Sequence, residues 1–417
     1  MNHVAAAPLS FRDVLRLDVM RRVWFAQIIS VFGDFLALFA VISVVSFRMH
    51  GTPSQITWVQ IAYMAPIAVL GPLSGVLVDR WPLKPTLVIS DLLRAALAGL
   101  LVFSGSLWQI YLVLAAISCV SSVFAPAQTV TIRSHVPREG LLSANSLMQM
   151  AFMGMRIVGP AMAGALVATF GATLCYSVDV VSFLGSAALI GSVGIRRAVE
   201  RSAKADSGQG PVAKLATEML EGMRFIAGHH SVSFVVAAMT AGFFIVGCFG
   251  PLIAIYVRDW LHGSPALFGL VSAMIGTGWI CGMPLLRAAS RRMENTSTVL
   301  LGLVGVGVGA LLLGSLAYPA ASILATFTLG IAVSAVMVPA QTLLQQETPP
   351  ALIGRVSSTS MSAVFLGQVL GLVLSGVLAD LIGVRLVFLV CAGVAFALAA
   401  SGRLFLATAP RSAPAEA

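Results

Sequence analysis

The chain has 417 residues, of which 58% are hydrophobic and only 10% are charged, and its mean hydropathy is +0.96. A soluble domain carries about 25% charged residues, so this composition excludes a soluble protein and predicts an all-α integral membrane protein. The net charge of +9 does not indicate nucleic-acid binding, because the basic residues are dispersed between apolar segments and form no continuous patch.

Apolar runs long enough to cross a bilayer predict twelve transmembrane helices, numbered here as spans 1 to 12. The loops between most of them are short. In chain order the predicted spans are 22–47, 58–78, 85–104, 107–132, 143–168, 173–195, 231–257, 264–287, 297–316, 319–346, 356–382 and 384–406.

A four-residue sequence occurs twice at the same place in the predicted order. Pro-Ala-Gln-Thr at 126–129 lies in span 4, and its second copy at 339–342 lies in span 10. Each copy precedes a polar loop with a proline and then a span rich in glycine and small residues. The chain is therefore predicted to form two pseudo-symmetric six-helix bundles, residues 1–195 and 231–417. Duplicated bundles are typical of secondary transporters.

Residues 196–230 form the one long hydrophilic stretch and are predicted to link the two halves. Its second part, Ala213 to Gly228, has apolar residues at helical spacing and indicates an amphipathic helix along the membrane surface. Most of the Lys and Arg residues fall on the same side of the spans as this linker, and only Arg48, Arg258 and Arg385 fall on the other. The positive-inside rule then predicts that both termini are cytoplasmic. The excess of arginine over lysine favours a bacterial source, and hence the inner membrane.

The loop between spans 2 and 3 reads Gly-Val-Leu-Val-Asp-Arg-Trp-Pro-Leu-Lys-Pro from Gly75 to Pro85. It resembles the signature Gly-x-Leu-x-Asp-Arg-x-Gly-Arg-Lys of the major facilitator superfamily, and departs from it at Pro82 and Leu83. The resemblance covers essentially the whole chain and implies conformational gating, with Asp79 set against the positive N-terminal end of span 11. The gating residues that it implies in this loop are Gly75, Asp79, Arg80 and Lys84.

Span 5 contains a second resemblance, Gly-Met-Arg-Ile-Val-Gly-Pro-Ala-Met-Ala-Gly from Gly154 to Gly164. It looks like the span 5 motif of proton-coupled antiporters in the same superfamily, which implies export and a gating role for Gly159, Pro160 and Gly164. Small residues allow close helix packing, and the proline bends the helix. The arginine that the family often carries in span 4 is absent here, so its proton-relay role is not carried over.

Charged residues within the spans are costly and are candidates for function. Asp34 in span 1 and Arg156 in span 5 lie at matching depths, so we expect an ion pair in which Asp34 accepts the coupled proton and Arg156 modulates it, with a purely structural pair as the alternative. Asp179 in span 6 is a second candidate for proton coupling. Asp91 and Arg94 are three residues apart on span 3 and are predicted to form a structural pair rather than a relay.

Substrate binding is predicted to combine adaptable apolar side chains with a few polar groups. Methionines crowd span 5, and flexible thioethers suit an adaptable surface; packing against lipid or core remains the alternative. The candidate substrate-binding residues are Asp34, Met153, Arg156, Phe243, Phe244, Gln341 and Gln368.

The chain carries no phosphate-binding loop, no metal-ligand spacing and no nucleophile elbow, so neither an enzyme nor a metal or other cofactor is expected. The chain most resembles the drug:proton antiporters of the superfamily, near the macrolide and siderophore exporters. The expected partners are a small amphipathic substrate, protons and the lipid bilayer, and the expected state is a monomer. The alternatives are a lysophospholipid transporter, which has a similar Phe-Gly-Asp in span 1, and a non-transporting membrane sensor.

Overall fold

The computed structural model describes residues 9–78, 80–195, 211–289, 293–350 and 352–408, and these fold into fourteen α-helices without a strand. Twelve helices of 19 to 30 residues correspond to the twelve predicted spans, which confirms the all-α fold. The helices are α1 Phe11–Arg16, α2 Asp18–Ser43, α3 Pro53–Val78, α4 Leu83–Leu101, α5 Leu107–His135, α6 Leu141–Phe170, α7 Ala172–Gly191, α8 Pro211–Gly228, α9 His230–Asp259, α10 Pro265–Ala289, α11 Asn295–Ser315, α12 Pro319–Glu347, α13 Ile353–Ile382 and α14 Val384–Thr408.

Ten of the described long helices are apolar and long enough to cross a membrane. The other two are α3 and α4, which correspond to spans 2 and 3. Helix α4 carries Lys84, Asp91 and Arg94 within 19 residues, more charge than a typical spanning segment tolerates unless the charges are paired inside the protein.

The helices repeat with a constant offset of 212 residues. Each of the six spanning helices of the first half begins 212 positions before its counterpart, from Asp18 and His230 at α2 and α9 to Ala172 and Val384 at α7 and α14. Two pairs have equal lengths, namely α5 with α12 and α6 with α13. The helix boundaries therefore preserve the repeat even where the residues of the two halves differ.

The unusual backbone conformations repeat with the same offset. The glycines after α6 and α13 have positive φ angles, 82° at Gly171 and 85° at Gly383. Glycine is the residue that adopts such angles without strain. The two described non-glycine residues with positive φ are also 212 positions apart, His50 at 50° and His262 at 46°. The repeat therefore extends to the loop geometry.

The helices form two compact units, residues 1–202 with 262–273, and residues 203–261 with 274–417. In the first unit, α2 packs against α6 and α7, α3 packs against α5, and α4 packs against α5 and α7. In the second unit, α9 packs against α13, and α11 packs against α12 and α14. Residues 262–273, which include the start of α10, belong to the first unit, so helix α10 is divided between the two units.

The linker helix α8 is anchored on α13 within the second unit. Glu221 accepts an ion-paired hydrogen bond from Arg355, and Gly222 lies so close to α13 that an added methyl group would overlap the Thr359 hydroxyl. Phe225 and Ile226 pack against a buried cluster that includes Val232. Met223 is exposed. Among its described side chains, the helix therefore has one packed face and one open face.

Candidate functional site

Helices α2 and α7 approach closely at Gly33. A methyl group added at Gly33 would overlap the Asp179 carboxyl and the Ser182 hydroxyl of α7. Asp179 is 1% exposed, and the Ser182 hydroxyl lies 3.3 Å from its Oδ1 atom and donates to its backbone oxygen at 2.7 Å. Because Gly33 has no side chain, the buried Asp179 carboxyl of α7 can lie against the backbone of α2. Gly33 directly precedes Asp34 in the sequence.

Asp34 is half-buried, and the described residues provide its carboxyl with no ion pair. It lies close enough to Asp179, Asp91 and Arg94 for their charges to influence it. Tyr63 of α3 lies within electrostatic range of both Asp34 and Asp179. Helices α2, α3, α4 and α7 therefore bring a cluster of ionisable side chains together in the first unit.

Asp91 and Arg94 of α4 form a buried ion pair. The Ser186 hydroxyl of α7 donates a hydrogen bond of 2.6 Å to the second oxygen of Asp91. The Arg94 guanidinium lies over two aromatic rings, 4.2 Å from the centre of Phe124 and 4.5 Å from that of Phe183. The hydrogen bonds to Asp91 and the two rings around Arg94 thus hold both charged side chains in place.

The cluster contains more acid than base. Three carboxyl groups share one arginine, and Arg94 is already paired with Asp91. Asp34 and Asp179 are left without a paired cation among the described residues. Two carboxylates in a membrane interior are costly when both are charged, so this arrangement can hold a proton.

The cluster has no counterpart in the second half of the repeat. At the 212-residue offset, Asp34, Asp91, Arg94 and Asp179 correspond to apolar residues and a cysteine. These four counterparts are Val246, Leu303, Val306 and Cys391. The shared helix framework therefore carries the ionisable cluster in its first copy alone.

Arg156 lies half-buried on α6 and forms no ion pair with Asp34 or with any other described residue. The expected Asp34–Arg156 pair is therefore absent from the described contacts, and the charged groups that influence Asp34 are Asp91, Arg94 and Asp179 instead. At the repeat offset, Arg156 corresponds to Gln368 of α13. Two candidate substrate-binding residues thus occupy equivalent positions in the two copies.

The other candidate substrate-binding residues differ in the groups that they contact. Met153 is half-buried on α6. In the second unit, the rings of Phe243 and Trp279 meet edge to face at 6.4 Å, and the Phe244 backbone lies against Gly371. The Gln341 side chain lies 4.0 Å from the Met361 sulfur. Phe243 therefore contacts a second aromatic ring, and Gln341 contacts a thioether.

The span 5 motif lies at two close helix contacts. Gly159 lies against the Phe35 side chain of α2, and Gly164 lies against Gly269 of α10, where an added Cβ would come 2.8 Å from the Gly269 Cα atom. The carbonyl oxygen of Pro160 also lies against Gly269. Residues 262–273 belong to the same unit as α6. The small residues of the motif therefore permit backbone-to-backbone packing.

The loop motif is described only in part. Asp79 lies outside the described residues. Arg80 is exposed, Lys84 is half-buried, and an added Cβ at Gly75 would meet nothing within 4 Å. The expected contact of Asp79 with the start of span 11 therefore remains a prediction.

Sequence reasoning missed Gly33, Tyr63, Ser182 and Ser186 as members of the cluster. Ser182 and Ser186 lie three and seven residues after Asp179, which places them on one face of α7. That spacing could have indicated a polar helix face. Tyr63 carries no such signal, because a lone tyrosine in an apolar span is typical of interface anchoring.

Comparison with known proteins gives consistent matches along the chain. The sequence profile of the Major Facilitator Superfamily matches residues 23–365 and 234–417. The chain is 31% identical over 376 residues to an uncharacterized transporter of that type from Bacillus subtilis, YfiS, covering 88% of each chain. It is 24% identical to the macrolide efflux protein A of Streptococcus pyogenes, covering 88% of this chain and 91% of that one.

A solved structure shares the fold at low sequence identity. The crystal structure of a mutant of the nucleoside transporter NupG superposes with a TM-score of 0.73 at 13% identity, covering 93% of this chain and 99% of the other. At that identity the similarity shows the fold alone.

Proposed function

The chain belongs to the major facilitator superfamily of multi-pass membrane transporters, and from this premise we propose that it exports amphipathic small molecules in exchange for protons. The observation that carries the proposal is the Asp179 carboxyl packed at Gly33, beside Asp34, without a paired cation among the described residues. Similarity to a macrolide efflux protein supports the direction and the class of substrate.

In the proposed coupling, the proton and the substrate compete for the carboxyl groups of Asp34 and Asp179. With Asp91 neutralised by Arg94, the Asp34–Asp179 pair is most stable in the membrane when it holds a proton. A substrate with a cationic group that approaches Asp34 favours release of that proton. Alternating access then couples the entry of protons from outside to the export of substrate from the cytoplasm.

Asp34 is the better candidate for the group that meets the substrate, and Asp179 for its partner. Asp34 is half-buried, whereas Asp179 is 1% exposed and lies within hydrogen-bonding distance of Ser182. A group that exchanges protons with the outside must be reachable from water, and Asp34 is the more exposed of the two carboxyls. Asp179 favours retention of the proton by the pair because a second negative charge nearby is unfavourable.

The substrate class follows from the candidate binding residues. Phe243 and Phe244 offer aromatic surface, Met153 offers an adaptable thioether, and Arg156 and Gln368 add polar groups. Such a mixture suits organic compounds that are largely apolar with few polar groups. Gln341 is a further polar candidate.

Orientation, gating and assembly complete the proposal. Both termini lie in the cytoplasm of a bacterial inner membrane, as the distribution of basic residues favours, and the protein acts as a monomer without nucleic acid. The loop residues Gly75, Asp79, Arg80 and Lys84, together with Gly159, Pro160 and Gly164, control the conformational change.

The test is transport by purified protein in proteoliposomes with an imposed pH gradient and a pH-reporting dye. Cationic dyes, macrolides, siderophores and lysophospholipids are compared as substrates. We expect proton movement that depends on an amphipathic drug-like substrate and that is lost in Asp34→Asn but kept in Asp380→Asn, an exposed acid on α13.

Three other outcomes would contradict the proposal in different ways. Substrate movement without proton movement would replace antiport by facilitated transport, and activity on lysophospholipids alone would support the lipid-transporting alternative. Binding without any flux under a gradient would support a sensor.

A further inference from the structure

An apolar groove runs along the surface of the first unit between α4 and α5. Its cavity volume is about 520 Å³, within the range of roughly 300–1,000 Å³ that is usual for ligand sites. The lining includes Trp81, Ile89 and Leu93, which are exposed on one side, and Cys119 and Val123 on the other. Among the described residues, no charged side chain lines the groove.

The length of the groove corresponds to one leaflet of a bilayer. Along α4, its lining extends from Pro82, just before the helix, to Leu93. Eleven residues of helix rise about 16 Å, and half of the hydrocarbon core is about 15 Å thick. An acyl chain lying along α4 would therefore reach from the membrane surface to the bilayer centre.

Two basic residues neighbour the lining at the end of the groove where α4 begins. Arg80 directly precedes Trp81, and Lys84 directly precedes Pro85 in the lining. Arg80 is exposed and Lys84 is half-buried, and neither forms an ion pair with the residues that the structure describes. The predicted topology places this loop on the cytoplasmic side, where each basic residue near an anionic surface favours binding.

We propose that this groove binds an anionic diacyl phospholipid of the cytoplasmic leaflet, with one acyl chain between α4 and α5 and its phosphate at Arg80 and Lys84. The apolar lining matches the acyl chain, the length of the groove matches the leaflet, and the two cations match the headgroup. Trp81 at the entrance has the amphipathic ring that favours the headgroup level. The site is separate from the transported compound and does not depend on the proposed coupling.

The test titrates delipidated, purified protein with dioleoyl-phosphatidylglycerol or dioleoyl-phosphatidylcholine and counts bound lipid by native mass spectrometry. We expect saturable binding of phosphatidylglycerol in preference to phosphatidylcholine. Cys119→Trp should remove this binding because the indole fills the groove. Cys281→Trp is the matched control, since Cys281 is also exposed and free but lies on α10.

A second pair of variants tests the headgroup without altering the groove. Lys84→Gln should weaken phosphatidylglycerol binding about fivefold and leave phosphatidylcholine binding unchanged, whereas Arg138→Gln, an exposed arginine outside the groove, should change neither. Equal phosphatidylglycerol binding in Cys119→Trp and wild type, no preference between the two lipids, or binding that never saturates would each overturn the proposal.

Discussion

The carboxyl group of Asp179 on α7 lies against the Cα atom of Gly33 on α2, in the space that any larger residue would fill with its side chain. The contact joins two helices that are far apart in the sequence. It places the Asp179 carboxyl at Gly33, which directly precedes Asp34. The proposed coupling depends on this approach, because proximity is what allows the two carboxyls to share a proton.

Gly33→Ala is expected to destabilise the protein, because the new methyl group would overlap the Asp179 carboxyl and the Ser182 hydroxyl. Overpacking of this kind costs roughly 1–3 kcal/mol. Gly185→Ala is the matched control on α7, where an added Cβ meets nothing within 4 Å. Thermal unfolding in detergent should show a lower midpoint for the first variant alone, and equal midpoints would show that α2 and α7 do not pack this closely.

Removal of one partner of the Asp91–Arg94 pair should destabilise the folded protein more than removal of both. Arg94→Val leaves an unpaired carboxylate in the interior, which costs roughly 3–5 kcal/mol. The double variant Asp91→Leu with Arg94→Val introduces the residues that the second copy has at the same positions, Leu303 and Val306.

We therefore expect Arg94→Val to lower the yield of folded protein and its unfolding temperature, and the double variant to recover much of both. The comparison is made by fluorescence-detected size exclusion before and after heating. If the double variant is no more stable than Arg94→Val, the ion pair does not explain the burial of these charges.

Gly164→Val should abolish transport, since its side chain would force α6 away from Gly269 at the start of α10. The matched control is Gly154→Val on the same helix, where an added Cβ has no neighbour within 4 Å. Both variants are assayed for substrate efflux from cells after their membrane levels have been equalised. Full transport by Gly164→Val would argue against a gating role for the span 5 motif.

Gly222→Val is expected to release the linker helix α8 from α13, because Gly222 lies against Thr359 and the Arg355 carbonyl oxygen. Glu221→Gln should have a small effect of about 0–1 kcal/mol, since both side chains of the Glu221–Arg355 pair are 41% exposed. Limited proteolysis should cut the linker faster in Gly222→Val than in Gly228→Val, where the added side chain has open space. Equal cleavage rates would indicate that α8 is not held at this contact.

The twelve spans and the repeat could be predicted from the sequence because apolar length and recurring motifs are local signals. The proximity of Asp91 and Arg94 also follows from a local rule, their separation by three residues on one helix. Asp179 at Gly33 could not be predicted in this way, since the contact depends on how α2 and α7 pack. For the same reason, matching depth suggested an Asp34–Arg156 pair that the described contacts do not include.

Proton release on substrate binding tests the central claim most directly. Purified protein in weakly buffered detergent solution, with a pH-indicator dye, is mixed with a substrate identified by the proteoliposome screen. We predict that the wild type and Asp380→Asn release protons on binding, and that Asp34→Asn binds the substrate without releasing them. Equal proton release by Asp34→Asn and the wild type would contradict the assignment of coupling to the Asp34–Asp179 pair.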